Sequence, residues 1–345
     1  MKEFYENRTR AYLPRNNYTL LRIDGKAFHT FTKGLERPFD KDLMEDMDRT
    51  AMYLCKNIMG AKLAYVQSDE ISVLVTDFDT IDTQAWFDYN VQKMCSVSAS
   101  MATREFNERR VYRYFNGPKD NIVPDKMQLK NIGEHYVPGT NLEDVRDDIA
   151  SFCNYMPING FRLAEFDSRV WQMPNRAEVF NYFMWRQQDC IKNSIQSVAQ
   201  TLYSQKEMHG KHTDKLVSMM LEEKSVDWHS YEDKCKYGRL IMKETYQLGD
   251  AQNNAVRTRW VSVPCYPDRI LLDQLIPIRP DEILSEMMKC KESPYYFITK
   301  YFKVKNNEGE HVPFDTPLSE EDFNKMFGEY LQKLKRTTII RNYGY

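Results

Sequence analysis

The sequence predicts an α+β fold: a ferredoxin-type antiparallel βαββαβ sheet with its helices on one face. Two observations predict it. Short apolar runs alternate with segments of helical period, in the order strand, helix, strand, strand, helix, strand. The two middle runs are separated only by the polar tip Gln67-Ser68-Asp69-Glu70, which makes them a hairpin.

Tyr18 to Ile23 (YTLLRI) is the first strand, stopped by the turn pair Asp24-Gly25. Lys41 to Met59 carries Leu43, Met44, Met47, Met52, Leu54, Ile58 and Met59 near a helical period. Ala61 to Val66 and Ile71 to Val75 are the hairpin strands. Thr83 to Arg109 reads as the second helix, with Trp86, Tyr89, Val91, Met94 and Val97 apolar. The last strand is expected around Asn159 to Phe166, ending at Asp167.

Between them, Tyr112 to Ala150 contains Gly117-Pro118, Val123-Pro124 and Pro138-Gly139, and reads as an insertion. Arg176 to Ser204 is a long helix with Pro174 near its start. A helix pair is expected at His212 to Glu223 and Tyr231 to Gln247. After Asp250 prolines break up the chain and Tyr295-Tyr296-Phe297 suggests short strands. This divides the chain into 1–170 (with the insertion at about 112–150), a helical region at 171–249, and a C-terminal extension at 250–345.

The chain has 345 residues, enough to bury a core without disulfides. Forty-eight Lys+Arg against 50 Asp+Glu excludes a globally basic nucleic-acid binder, but not a local basic groove. The seven cysteines form no CxxC and suit reduced thiols in the cytoplasm. The polar start is unlike a secretory leader, and no apolar run is long enough for a membrane span.

Asp24, Asp69 and Glu70 carry the chemical interest. In a βαββαβ sheet the first strand lies beside the hairpin, so these carboxylates meet at one edge. Convergent carboxylates beside a backbone carbonyl suit Mg²⁺, and a metal pair clamps both oxygens of a phosphoryl transfer. Gly25 lets a triphosphate approach the amides of Lys26 to His29. The bland readings also fit: Asp-Gly as a turn, and Ser-Asp-Glu as a solvated hairpin tip.

Four motifs carry a resemblance. Arg22-Ile23-Asp24-Gly25-Lys26-Ala27-Phe28-His29-Thr30-Phe31 resembles an RxDGRxFHxF signature, and Ala64 to Glu70 a YxQSDE hairpin. Glu165 to Val170 resembles an FDxR strand end, and Trp185-Arg186-Gln187-Gln188-Asp189-Cys190 a WRQxDC helix. In this order they are similar to the tRNA-histidine guanylyltransferase family, over about Tyr5 to Gln247. The resemblance implies a polymerase-palm-like catalytic domain and an enzyme that builds RNA in the 3′-to-5′ direction. The 5′ end of tRNA is first adenylylated with ATP. The 3′-hydroxyl of an incoming GTP or other NTP then attacks it.

By that resemblance Asp24, the Gly25 carbonyl and Asp69 bind two Mg²⁺, with Glu70 supporting the site. Asp24, Gly25, Lys26, Ala27, Phe28, His29, Ser68 and Asp69 hold the nucleotide. Arg37 and Asp40, from a segment resembling Lys-Pro-Asn-Asp, serve the activation step. Arg186, Lys192, Asn193, Lys236 and Arg239 are the RNA-binding candidates. A homotetramer is also implied.

Two departures matter. Lys26 stands where the family carries Arg, keeping charge but losing the bidentate fork. Ile191-Lys192-Asn193-Ser194 stands where the eukaryotic enzymes carry His-Ile-Asn-Asn, which resembles the branch that repairs truncated tRNA 5′ ends against a template. The basic-aromatic cluster Arg109, Arg110, Tyr112, Arg113, Tyr114, Phe115 and the cluster Lys234, Lys236, Tyr237, Arg239 read equally as RNA contacts or solvated faces. The same holds for Lys333 to Arg341. The alternatives to a polymerase are a palm-fold nucleotide cyclase and a non-catalytic RNA-binding protein.

Overall fold

The computed structural model describes residues 1–80, 82–116, 163–248, 255–265, 272, 274–279, 281 and 282. In chain order the elements are β1 (Tyr18–Gly25), α1 (Phe28–Phe31), α2 (Lys41–Asn57), β2 (Ala61–Gln67), β3 (Glu70–Val75) and α3 (Val91–Asn116). Then come β4 (Phe166–Met173), α4 (Arg176–Leu202), α5 (Gln205–Met208), α6 (Thr213–Lys224), α7 (Asp233–Lys236), β5 (Arg239–Leu248) and β6 (Ala255–Pro264). The strands form one antiparallel sheet in the order β4-β1-β3-β2-β5-β6.

Period-two alternation splits the strand side chains between two cores. Leu21, Ile23, Ala64, Val66, Ile71 and Val73 pack with Met47, Ala51 and Leu54 of α2 and Met94, Ala102 and Phe106 of α3. The two helices of the βαββαβ unit thus share one face, as the connectivity demands. Leu20, Leu63, Tyr65 and Leu74 point the other way, onto Val179, Tyr182, Phe183 and Cys190 of α4. Beyond the sheet, Ile195, Val198 and Ala199 of α4 pack with Leu216, Met219 and Met220 of α6 and with Trp228.

Caps place the long helices. Asp40 accepts from the Leu43 amide at 2.7 Å to start α2, and Asn175 accepts from the Glu178 amide at 2.9 Å to start α4. The β2–β3 hairpin closes in two residues, Ser68-Asp69.

The structure corrects three expectations. The fourth strand starts at Phe166 rather than ending beside it; Asn159 to Arg162 lie outside the described residues. Its mixed composition, FDSRVWQM, suits an edge strand, paired on one side only among the described residues. Tyr231 to Gln247 is not a helix: after the short α7 it becomes β5, which pairs with β2 and β6. Helix α3 runs on to Asn116, into the start of the expected insertion, whose residues 117–150 lie outside the described set. Asp250, the expected start of the C-terminal extension, also lies outside it; β5 and β6 pair on either side. No described helix is long and apolar enough to cross a membrane.

Two arginines of the Arg109–Phe115 cluster, Arg110 and Arg113, are spent inside the fold. The Arg113 guanidinium donates to Asp42, Glu45 and Asp46 of α2 at 2.9, 3.2 and 2.9 Å, and Arg110 donates to Asp46 at 3.2 Å. These bonds clamp α3 onto α2 and leave little charge for a polyanion.

Candidate active site

The sheet ends in a row of carboxylates. In the register of β4, β1 and β3, Asp24 faces Asp167 on one side and Glu70 on the other. Facing residues of neighbouring strands share a sheet face, so all three belong to the α4 side. Arg22 and Arg169, also paired, occupy the next row in. The hairpin tip is held to the end of β1 by the Gly25 amide, which donates to the Asp69 carbonyl at 3.1 Å. Asp69 thereby sits beside Asp24.

Burial raises the Asp69 carboxyl to about 6, and the charges of Asp24 and Glu70 add to the rise. Hydrogen bonds from its own amide and from Ser68 oppose it. A cavity of about 260 Å³ opens between this tip and α4, bounded by Asp24, Ser68, Asp69, Arg186, Asn193 and Gln196. Among the described residues no three Asp, Glu, His or Cys side chains gather around one point. The donor set is two carboxylates supplemented by main chain, all hard oxygen, which fits a hydrated Mg²⁺.

Glu70, expected among the catalytic residues, also borders this cavity, with its carboxylate engaged by α4. Its two oxygens accept from Nε and Nη2 of Arg186 at 2.8 and 2.7 Å, and both side chains are buried. Burial raises its carboxyl above the ordinary glutamate range while Arg186 opposes the rise. Arg186 also donates to Asp189 at 3.0 Å, so Glu70 ties the hairpin to α4.

The segment expected to hold the nucleotide divides by position. Gly25 has no room for a side chain: a Cβ there runs into the ring of Phe28. Phe28 itself is core, packed on Phe31, Phe106 and Phe166 at 4.8, 5.7 and 5.3 Å between centroids, so only its main chain can serve a ligand. Ala27 adopts a left-handed φ of +54° and is exposed, as is His29. Lys26 donates to Glu165 at 2.5 Å, and that bond raises its pKa. A larger cavity, about 530 Å³, borders Lys26, Thr103, Arg104, Asn107, Glu165 and Asp167. Gly25→Ala is expected to displace Phe28, cost about 1–3 kcal/mol in urea unfolding and remove triphosphate binding.

Several expected residues have other work. Asp40 is the α2 cap and also accepts from the Glu36 amide at 3.1 Å, so its carboxylate is occupied; Arg37 is exposed. Of the RNA-binding candidates, Arg186, Lys236 and Arg239 are buried. Lys236 donates to the His229 carbonyl at 2.7 Å and pairs with Asp233, and Arg239 donates to Asp48 at 2.7 Å. Lys236 and Arg239 are thereby engaged within the fold, whereas Arg186, though paired, borders the cavity. Lys192 and Asn193 remain exposed on α4. Sequence reasoning missed Gln67, at the end of β2, and Gln196 and Gln200 of α4, which also border the cavity. A stripe of α4 positions from Asn193 to Gln200 was the available signal.

Comparison with known proteins places the chain in a family. Residues 1–135 match the family model described as tRNAHis guanylyltransferase. The solved structure of a bacterial tRNA(His) guanylyltransferase (Thg1)-like protein in complex with ATP is 37% identical, covering 79% of this chain and 96% of that one, with a TM-score of 0.60. The chain belongs to the tRNA(His) guanylyltransferase-like family. It is a nucleotidyltransferase, with the α+β, palm-like sheet of that family. A second structure of a bacterial family member, in complex with GTP, is 36% identical over the same shares, with a TM-score of 0.55. The tRNA(His) guanylyltransferase of Debaryomyces hansenii is 24% identical over 245 residues, 68% of this chain and 76% of its own length.

Proposed function

We propose that this nucleotidyltransferase extends the 5′ end of tRNA in the 3′-to-5′ direction, as a template-dependent repair enzyme. The observation that carries the reading is the meeting of Asp24 and Asp69 at the end of the sheet, beside the cavity under α4. The ATP and GTP bound by the bacterial relatives support nucleoside triphosphates as substrates. Ile191-Lys192-Asn193-Ser194 supports the repair branch over a dedicated guanylyltransferase.

Asp24, the Gly25 carbonyl and Asp69 would hold Mg²⁺, which supplies charge neutralisation at the transferring phosphate. The main chain of Lys26 to His29, with the Ser68 hydroxyl, would position the triphosphate. Lys26 would contribute a cation beside it. Adenylylation forms a bond from the RNA 5′-phosphate to the ATP α-phosphorus and releases pyrophosphate. The 3′-hydroxyl of the incoming nucleotide then displaces AMP.

The test uses 5′-monophosphorylated tRNAs with Mg²⁺, ATP and each labelled NTP in turn. One is truncated by a nucleotide at its 5′ end; the other is an intact tRNA-histidine lacking the extra guanosine. Addition of only the template-matched nucleotide to the truncated tRNA is expected. Guanosine added only to tRNA-histidine would make the protein a dedicated guanylyltransferase. Cyclic nucleotide formed without RNA would replace the reading with a cyclase.

A second measurement tests the metal separately. The folded Asp69 pKa, about 6, exceeds the unfolded value of 3.8. Without metal, its contribution to stability is therefore full below about pH 4 and lost as pH rises through about 6. Mg²⁺ is expected to raise the Tm at pH 8, and to raise it much less at pH 5, where Asp69 is protonated. Equal shifts at both pH values would overturn the role of Asp69.

A further inference from the structure

We infer that the solvent-facing stripe of α4 is where an unpaired nucleotide of the RNA end stacks, with Trp185 as the platform. This rests on the reading above that an RNA end is a substrate. Trp185 leaves 53% of its surface exposed, although a Trp side chain is ordinarily mostly buried. It is the one exposed large apolar side chain of α4 among the described residues.

The indole is held, not free. The Arg186 guanidinium lies 4.5 Å from its ring centroid, and Tyr182 is 6.0 Å away. Arg186 is fixed in turn by Glu70 and Asp189, and Tyr182 by the Ser72 hydroxyl at 2.7 Å. A platform immobilised before binding loses little entropy when a base lands on it.

The neighbours set the class of ligand. At 100° per residue, Gln188, Lys192 and Gln196 lie on the same side of α4 as Trp185, and all three are exposed. Glu178 shares this side as well, toward the start of α4, and Asp189 is engaged by Arg186; toward the cavity, one flat aromatic face, an exposed cation and amides match the needs of a single-stranded nucleotide: stacking for the base, charge for its phosphate, hydrogen bonds for its edges. A protein-docking patch would need apolar neighbours, and this stripe has none. Through Arg186 and Glu70 the platform is coupled to the strand position facing Asp24, and Gln196 also borders the cavity containing Asp24 and Asp69. Arg186, which lies against the indole, borders that cavity as well, so the platform adjoins the wall of the candidate active site.

The experiment uses the full chain and a hairpin RNA with a 5′-monophosphate and a short 3′ overhang, carrying 2-aminopurine at each overhang position in turn. Stacking on indole quenches 2-aminopurine, so binding is expected to quench one position strongly. Trp185→Leu is expected to abolish that quenching and weaken RNA binding roughly 5- to 150-fold. Trp185→Phe should fall between, and binding of NTP without RNA should stay unchanged in both. Quenching that persists in Trp185→Leu, or hairpin binding by the wild type with no position quenched, overturns the platform and leaves the nucleotidyltransfer reading standing. Failure of the wild type to bind the hairpin overturns both. Loss of NTP binding in Trp185→Leu would assign the side chain to the fold of the site instead, and would also overturn the inference.

Discussion

Asp69→Ala and Asp24→Ala are each expected to lower nucleotide addition by about 10³-fold or more, through loss of the charge that holds the metal. The fold should survive both. Asp69 lies in a two-residue turn and is not fully buried, and its carboxyl already suffers from burial and from Asp24. Removing it relieves that cost, so Asp69→Ala in metal-free buffer should melt no lower than wild type above about pH 6. Circular dichroism and single-turnover addition to a 5′-adenylylated RNA check the two halves. Retained addition by a folded Asp69→Ala protein would sink the metal assignment.

Arg186→Ala is expected to have the largest effect on stability, about 3–5 kcal/mol, because it strands Glu70 as an unpaired buried carboxylate. Glu70→Ala strands Arg186 in the same way. Replacing both, as Glu70→Leu with Arg186→Met, should be far less costly than the sum of the single losses, since apolar groups of similar size suit the site. Urea unfolding of the wild type, Glu70→Leu, Arg186→Met and the double variant gives the coupling energy. Additive losses would show that the pair does not act as a unit. The double variant should fold and bind NTP yet add nucleotides poorly, if the pair sets the spacing between the hairpin tip and α4.

The contrast between these two cases marks how far the sequence could be read. Asp24, Asp69 and Glu70 stood out equally as carboxylates bound for one edge. Only the arrival of Arg186 from 116 residues away separated Glu70, whose carboxylate holds α4, from Asp24 and Asp69 beside it. Arg239 misled in the same manner: it resembled an RNA contact, and its partner Asp48 lies 191 residues earlier. A charged residue advertises itself in sequence, whereas the residue that neutralises it comes from elsewhere in the chain. Phe28 shows the reverse case, a nucleotide-binding candidate by position whose ring belongs to the core.

The sequence by itself determined β1, the β2–β3 hairpin, α2 and α4. These elements are local: periodicity, a two-residue turn and side-chain caps specify them within one stretch of chain. Only the tertiary structure decided β5 and the true span of β4. Arg239–Leu248 is polar enough to read as a helix, and becomes a strand because β2 and β6 satisfy its backbone on both sides. It likewise decided which cations face solvent, since burial and pairing depend on contacts across the sheet that no local pattern encodes.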